Sequence, residues 1–423
     1  MPTPAARFGL KSLNFFTAAV QTGFGPFIAV YLTEQGWSQT DIGVALSIGT
    51  ASGLLFQLPS GMLVDTVHRK RSVTAAALIL LGISALLLMA WPSRDLVWAS
   101  QILHAAASGI LVPAIAALTL ALYGHAQFSA RLGINARYMS LGNAAAACLL
   151  GVVAAYLSNR AVFALTAALA IPAVMALWAI PPAHDADRIG DHPSMQHPRV
   201  MRQLSTRPQL SARPQLPARP WNIFAVTSLH VFAVCTVLFH LSNAAMLPLA
   251  LNALAKRGGN PGLVVSAAII VPQIITAVIA PWIGGAAQRL GRRPVVIVGF
   301  LVLPLRGLLL ATQPDALPLA MMQALDGISA AVLGIMVPLI AADVTRRTGY
   351  LNLAISSIGL AANIGATFST ILGGLVADRF GIPMALVGLS LVGFAAVGLA
   401  WVALPETRPV LAPTPPAGRP NPT

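Results

Sequence analysis

Two oppositely charged side chains lie well inside apolar segments of this sequence, where ionised groups are costly. Asp326 is the only carboxylate placed in this way, and Arg306 is the only permanently charged base. If the two segments are antiparallel helices, the residues differ in depth by about 6 Å at ~1.5 Å per residue, which their side chains can bridge. A charge in such a place must be paired or protonated. Asp326 is therefore either a proton-exchanging carboxylate or a permanent partner of Arg306 that fixes helix packing or an anionic substrate.

A histidine occupies the corresponding place in an earlier segment. The stretch QILHAAASG at 101–109 matches QALDGISAA at 323–331 with an offset of 222 residues, which aligns His104 with Asp326. Imidazole titrates near neutral pH, so His104 is suited to proton exchange. The alternative is a histidine that stays neutral in a hydrogen bond. Either way, the sequence predicts two polar groups at matching depths.

The same two segments contain helix-breaking residues in matching places. Gly109 and Pro113 lie in the first, and Gly334 and Pro338 lie in the second. Paired interruptions in corresponding spans are typical of transport sites. We therefore expect both segments to be interrupted near these residues.

Polar side chains recur at helical spacing in four of the apolar segments. Spacings of three, four and seven residues place each set on one helix face. In lipid such faces should point inward, either to line a cavity for a small-molecule substrate or to form hydrogen bonds between helices. The residues predicted to line the cavity are Asn14, Thr17, Gln21, Gln101, His104, Ser108, His240, Asn243, Gln323 and Asp326.

The composition requires that these segments lie in a membrane. Apolar residues make up 57% of the chain and charged residues 9%, against about 25% charged in an average soluble domain. Backbone groups in lipid must be paired within the element, so the spans are helices and the fold class is an all-α polytopic membrane protein. The predicted spans are 12–33, 41–64, 72–92, 96–122, 136–157, 160–181, 222–254, 262–287, 294–312, 316–342, 351–377 and 381–404.

The basic residues indicate how the chain crosses the membrane. The net charge is +14, but no nucleic-acid motif accompanies it, so we expect no nucleic-acid binding. Of the 26 lysines and arginines, 20 fall in loops and termini on one side of the predicted spans and five on the other. We expect the protein to lie in the inner membrane. The positive-inside rule then places both of its termini in the cytoplasm.

One polar stretch divides the chain into halves. Residues 182–220 are rich in proline and arginine and contain the tandem repeat QLSTRP, QLSARP, QLPARP, which predicts a flexible cytoplasmic linker. The predicted units are a six-helix bundle at 1–181, this linker, a second bundle at 221–404, and a disordered tail at 405–423. Cys148 and Cys235 lie in apolar spans and form no metal-binding pattern.

The halves are related to each other and to a known family. GMLVDTVHRKR at 61–71 aligns with GGAAQRLGRRP at 284–294 at an offset of 223, and this offset also relates 151–159 to 374–382. The first stretch resembles the G-x-L-x-D-x-x-G-R-K loop of the major facilitator superfamily, although His68 replaces its glycine, and Gln288 replaces the aspartate in the second copy. The resemblance implies two six-helix bundles related by pseudo-two-fold symmetry around a central cavity. In that family spans 1, 4, 7 and 10 line the cavity, and these are the four segments that carry the predicted cavity residues. It also implies a conformational latch formed by Gly61, Asp65, Arg69, Lys70, Arg292, Arg293 and Asp343.

The resemblance implies a secondary transporter that works by alternating access. We expect proton-coupled export of a small molecule, with uptake of a small organic anion as the alternative if Arg306 faces the cavity unpaired. A transporter-like sensor or a channel is the remote alternative. Drug exporters of the family usually carry an arginine where this chain has Gln101, which weakens that analogy. Enzyme, nucleotide-binding and metal-binding motifs are absent from the sequence, so we expect no catalysis, no cofactor and no metal. We also expect a monomer.

Overall fold

The computed structural model describes residues 2–24, 26–37, 39–180, 226–256, 261–346 and 348–408, and each regular element within them is an α-helix. The predicted linker at 182–220 and residues 409–423 of the predicted tail lie outside the described residues. The helices are α1 (Pro4–Thr22), α2 (Pro26–Glu34), α3 (Gln39–Thr66), α4 (Lys70–Ala90), α5 (Arg94–Tyr156), α6 (Asn159–Trp178), α7 (Thr227–Asn243), α8 (Met246–Lys256), α9 (Pro261–Leu290), α10 (Arg292–Ala311), α11 (Ala316–Val344), α12 (Leu351–Phe380) and α13 (Ile382–Ala403).

These helices fit a membrane. Within the described residues, nine helical segments are long and apolar enough to cross a bilayer. One of them lies in α5, whose 63 residues contain a non-helical backbone at Gly124 with φ 64° and ψ 174°. Glycine adopts this left-handed conformation without strain, so α5 reverses there and supplies two crossings. With α1–α2 and α7–α8 counted as one crossing each, the described helices make twelve crossings, the number of spans that the sequence predicts.

The helices are interrupted in different spans from those that the sequence predicted. Helices α5 and α11 continue through Pro113 and Pro338, because membrane helices tolerate the loss of one backbone hydrogen bond. Instead, the predicted spans 12–33 and 222–254 are each divided, between α1 and α2 and between α7 and α8. The two breaks are separated by about one repeat offset, so the interruptions are still related by the duplication.

Each half has its own apolar core. One cluster of buried side chains lies mostly in α7–α13, and another lies in α1–α6. The halves meet where α5 packs on α9 and α3 packs on α12. Small residues allow the close approach: a Cβ at Gly133 would lie 2.5 Å from the carbonyl oxygen of Ala280, and a Cβ at Gly61 would lie 2.5 Å from that of Asn352. Larger side chains there would separate the halves.

The two ends of the molecule differ in how the halves are joined. We call the end at which α1 begins the basic face and the opposite end the far face. At the basic face Ser129 donates to the Gly284 carbonyl oxygen at 2.6 Å, and the Gln288 amide donates to that of Ala126 at 2.9 Å. Among the described residues, the cross-half hydrogen bond farthest from this face joins Asn143 to Gln273 at 3.4 Å, part-way along the helices. The structure is therefore closed at the basic face.

The first residues of the predicted tail contact α10. Glu406 accepts hydrogen bonds from the backbone N–H groups of Arg292, at 2.9 Å, and Arg293, at 3.1 Å. These are the first residues of α10, where unpaired N–H groups attract a carboxylate. Gly291 precedes them with φ 106° and leaves room for the carboxylate. Glu406 is thus the N-terminal cap of α10.

Glu406→Ala should lower the free energy of unfolding by about 1–2 kcal/mol, because α10 loses its cap. Thermal unfolding of the purified protein in detergent measures the change. Thr407→Val is the matched control, since the Thr407 hydroxyl makes one long contact of 3.4 Å with Asp343, and we expect a loss below about 0.5 kcal/mol. Equal effects of the two variants would contradict a capping role.

Candidate functional site

Arg306 and Asp326 are in direct contact. The guanidinium Nη1 of Arg306 on α10 lies 2.8 Å from Oδ1 of Asp326 on α11, and the side chains are 2% and 28% exposed. The contact inferred from helix rise is therefore present. Its geometry is that of a charge-assisted hydrogen bond. It ties two helices together while leaving part of the carboxylate accessible.

Two amides also accept hydrogen bonds from Arg306, whose Nε is buried without a partner among the described residues. Nη1 also donates to Oδ1 of Asn243 at 2.8 Å, and Nη2 donates to Oε1 of Gln323 at 2.6 Å. The Gln323 amide nitrogen in turn donates to the carbonyl oxygen of Leu319 at 3.1 Å. We call Arg306, Asp326, Asn243 and Gln323 the arginine cluster. It joins α7, α10 and α11.

The arginine cluster changes the role expected for its amides. Gln323 is fully buried, and neither Gln323 nor Asn243 lines the two cavities described below, so both hold the guanidinium instead. Helical spacing alone cannot distinguish an amide that faces a cavity from one that faces a neighbouring arginine. His240 lies on α7 near enough to interact electrostatically with Asp326, and it also lies outside both cavity walls.

A first cavity lies at the seam between the halves. It has a volume of about 400 Å³ and is bounded by α1 and α5 from one half and by α9 and α11 from the other. We call it the amide cavity, because side-chain amides and hydroxyls interrupt a wall that is otherwise aliphatic. The predicted residues Asn14, Thr17 and Gln21 line it. Its volume is in the range of small-molecule sites.

The amide cavity also contains polar residues that the sequence analysis did not assign. Asn135 and Asn143 lie on the second crossing of α5, and Gln273 and Thr276 lie on α9. Their spacings of eight and three residues are helical, so the same periodicity argument would have found them. They were missed because the family resemblance directed attention to spans 1, 4, 7 and 10.

A second cavity adjoins the first. It has a volume of about 520 Å³, is lined by α3, α5, α11 and α12, and shares Val112 and Val337 with the amide cavity. The predicted residues Gln101, His104 and Ser108 lie in its wall, so we call it the histidine cavity. The two spaces form one central region at the seam.

His104 is held against an aromatic ring. Its imidazole stacks on Phe24, with ring centroids 4.1 Å apart and an interplanar angle of 29°. Nε2 lies 3.4 Å from the Ser108 hydroxyl oxygen, and Nδ1 is buried without a hydrogen-bond partner among the described residues. The ring faces the cavity and not the lipid.

His104 and Asp326 lie at matching depths in opposite halves. Each is ten residues beyond the first residue of its helix, Arg94 of α5 or Ala316 of α11. At ~1.5 Å per residue, both are about 15 Å from the far face. His104 lines the histidine cavity, whereas Asp326 belongs to the arginine cluster. The structure thus places the two residues at the same depth without bringing them into contact.

The predicted latch residue Asp65 joins the halves at the basic face. Its carboxylate accepts hydrogen bonds from the backbone N–H of Asn352 at 3.0 Å, from the Asn352 amide at 2.6 Å and from the Leu353 N–H at 2.8 Å. These groups form the N-terminus of α12, which favours a negative charge. Lys70 donates to the carbonyl oxygens of Val64 and Asp65, and so closes the turn after α3. Arg69 is exposed in that turn.

The second copy of the motif acts within its own half. Arg292 donates to Asp343 at 2.8 Å, and both side chains are largely buried. Arg293 donates to the carbonyl oxygen of Trp401. Gln288 occupies the position in the second copy that Asp65 occupies in the first. It makes one neutral hydrogen bond across the seam, whereas the Asp65 carboxylate accepts three hydrogen bonds. A neutral bond is the weaker kind.

Comparisons with known proteins agree with this architecture. The sequence model of the Major Facilitator Superfamily matches residues 12–254 and 232–422. Two relatives from Mycobacterium tuberculosis, strains CDC 1551 / Oshkosh and H37Rv, are described as uncharacterised MFS-type transporters. Each is 32% identical over 414 residues, covering 96% of this chain and 94% of the relative.

A solved structure has the same fold. The proton:xylose symporter XylE, bound to 6-bromo-6-deoxy-D-glucose, superposes with a TM-score of 0.70 over 96% of this chain and 95% of that chain. The two sequences are 16% identical, so this similarity concerns the fold alone.

Proposed function

This chain belongs to the Major Facilitator Superfamily of secondary transporters, and from that premise we propose that it is a proton-coupled exporter of a small organic solute. It works by alternating access in the inner membrane, with the basic face and both termini toward the cytoplasm. The orientation rests on the positive-inside rule. The supporting observation is a central region whose wall comes from both halves and whose basic face is closed.

The cavity geometry supports alternating access. A solute in the amide cavity would contact α1 and α5 on one side and α9 and α11 on the other. Rocking of one bundle against the other would therefore expose the same solute to opposite faces in turn. Contacts that hold the basic face, at Asp65 and Ser129, would open in the other state.

The arginine cluster supports proton coupling. If Asp326 binds a proton, Arg306 keeps its hydrogen bonds to Asn243 and Gln323. The guanidinium is then not left without partners in a membrane interior, which would be costly. Asp326 is 28% exposed, so the pair with Arg306 leaves part of its carboxylate uncovered by protein. His104 in the cavity wall is the second candidate for proton exchange.

Two observations favour export over uptake of an organic anion. Arg306 is 2% exposed and is bonded to three side chains, so it is not available to an anionic solute. The wall of the amide cavity is mostly aliphatic, which suits a largely apolar solute. Such a solute enters a cell through the bilayer unaided, so an energised carrier for it is useful in the outward direction.

Asp326→Asn should abolish accumulation driven by a proton gradient while leaving gradient-free exchange. One proton moving down 100 mV supplies about 2.3 kcal/mol, enough for roughly fiftyfold accumulation, and the variant should accumulate nothing above equilibrium. A toxicity screen of deletion and complemented cells first selects a labelled solute. Everted membrane vesicles with an acid interior then measure its accumulation and its exchange.

Asp378→Asn is the matched control, because Asp378 is an exposed carboxylate at the far end of α12. It should accumulate solute as the wild type does. Accumulation only in right-side-out vesicles would contradict export, and gradient-driven accumulation by Asp326→Asn would contradict coupling at Asp326.

A further inference from the structure

Two buried polar atoms on residues of the amide cavity have no hydrogen-bond partner within the part of the chain that the structure describes. Asn14 and Thr17 on α1 are 0% and 2% exposed and line this cavity. Within the described residues, Asn14 Oδ1 and Thr17 Oγ1 make no hydrogen bond. The residues are three positions apart, so they lie on one helix face. Buried polar atoms are nearly always paired in proteins, so two exceptions on one face need an explanation.

The orientation of Asn14 defines what it can bind. Its amide nitrogen donates to the carbonyl oxygen of Leu10 at 2.7 Å. Only the nitrogen can make this bond, so the oxygen is the free atom, and it can only accept. The ligand must therefore offer an N–H or O–H group to Asn14. The Thr17 hydroxyl can accept or donate, so it places a weaker restriction on its partner.

Several other polar groups of the wall are already occupied by the protein. Asn135 donates to the Thr119 hydroxyl at 2.8 Å, and Thr276 donates to the Gly327 carbonyl oxygen at 2.8 Å. These bonds hold helices together and reduce what those groups can offer a ligand. The unpaired atoms of Asn14 and Thr17 are thus set apart as recognition groups.

The wall also lacks charge. Among the described residues that line the amide cavity, none is Asp, Glu, Lys, Arg or His. A charged ligand would lose its hydration there and gain no counter-charge, which is a large penalty. An uncharged ligand with a mostly apolar skeleton matches the aliphatic remainder of the wall.

We infer that the amide cavity selects uncharged, largely apolar organic molecules that carry a hydroxyl or an amide N–H, which Asn14 and Thr17 bind. The inference rests on the proposed function in one respect, which is that the amide cavity is the binding site of the solute. A hydrogen bond is worth about one kcal/mol, and leaving a buried acceptor unpaired adds to the loss. Molecules without the donor should therefore bind at least about tenfold more weakly.

Three probes with one skeleton test the inference. We choose 4-phenylphenol, which is neutral and donates, 4-methoxybiphenyl, which is neutral and only accepts, and biphenyl-4-carboxylate, which is charged. Their binding to the full chain in nanodiscs is measured at pH 7, with empty nanodiscs to subtract membrane partitioning. The phenol should bind saturably, the ether at least about tenfold more weakly, and the carboxylate not measurably.

Two identical substitutions separate recognition from structure. Thr17→Val removes the unpaired hydroxyl, and Thr236→Val removes an equally buried hydroxyl of α7 that lies outside the cavity wall and donates to the Phe232 carbonyl oxygen at 2.8 Å. Asn14→Leu should weaken binding of the phenol by about three- to tenfold without changing that of the ether. Thr17→Val should also weaken binding of the phenol by about three- to tenfold, while Thr236→Val should leave the binding of both probes unchanged. Thermal unfolding of each variant confirms that it is folded.

The inference would be overturned by equal binding of phenol and ether, or by binding of the carboxylate as tight as that of the phenol. Equal effects of Thr17→Val and Thr236→Val, or no saturable binding of either neutral probe, would also overturn it. These measurements use no ion gradient, so they are independent of transport. Selective binding without pumping in vesicles would refute the proposed exporter alone, whereas pumping of a charged solute would refute the selectivity alone.

Discussion

Arg306→Met should lower the free energy of unfolding by about 3–5 kcal/mol, the cost of leaving a buried charge without its partner. The variant removes the donor to Asp326, Asn243 and Gln323 at once. An ionised Asp326 would then lie in the membrane interior without a counter-charge, and two amide oxygens would lose their hydrogen bonds. Unfolding of the purified protein in mixed micelles, followed by tryptophan fluorescence, measures the change.

A second variant shows whether the loss comes from the unpaired charge. Arg306→Met combined with Asp326→Asn removes both charges, so most of the stability should return. Arg379→Met is the matched control, because Arg379 is exposed at the end of α12, and it should change stability by less than about 0.5 kcal/mol. A loss below about 1 kcal/mol in Arg306→Met would show that the pair contributes little.

The sequence was sufficient to predict this pair for a physical reason. Lipid forces each span to be a helix with a fixed rise per residue, so the depth of Arg306 and Asp326 follows from their distances to the ends of their spans. The matching depths of His104 and Asp326 were predicted from the alignment of the two repeats, which places both residues at corresponding positions of their spans. Depth along a helix can be read from sequence because it depends on backbone geometry alone.

The direction in which each helix face points was harder to predict than depth. Gln323 and Asp326 share a face, yet that face meets the Arg306 guanidinium and not a cavity. The breaks in spans 1 and 7 were not predicted, and proline does not decide where they fall: Pro26 begins α2 directly after the first break, whereas Pro113 and Pro338 remain within continuous helices. The cap formed by Glu406 on α10 joins residues 114 positions apart, and no local pattern indicates such a contact.

Asp65→Asn should shift the equilibrium between the two states of the transporter toward the one that is open at the basic face. Asp65 accepts three hydrogen bonds at the start of α12, which belongs to the opposite half. Loss of the charge weakens all three and removes its interaction with the helix N-terminus, together about 2 kcal/mol. Because the contact exists only while this face is closed, the ratio of closed to open molecules should fall about thirtyfold.

Spin labels at positions 72 and 346 measure this shift. Both residues are exposed at the basic face, one in each half, and the native Cys148 and Cys235 are first replaced by serine. The variant should show a second, longer distance that is rare in the parent protein. Asp95→Asn is the matched control, because Asp95 lies in the first turn of α5 at the far face. An unchanged distance distribution in Asp65→Asn would mean that packing at Gly61 and Ser129 is enough to hold the halves together.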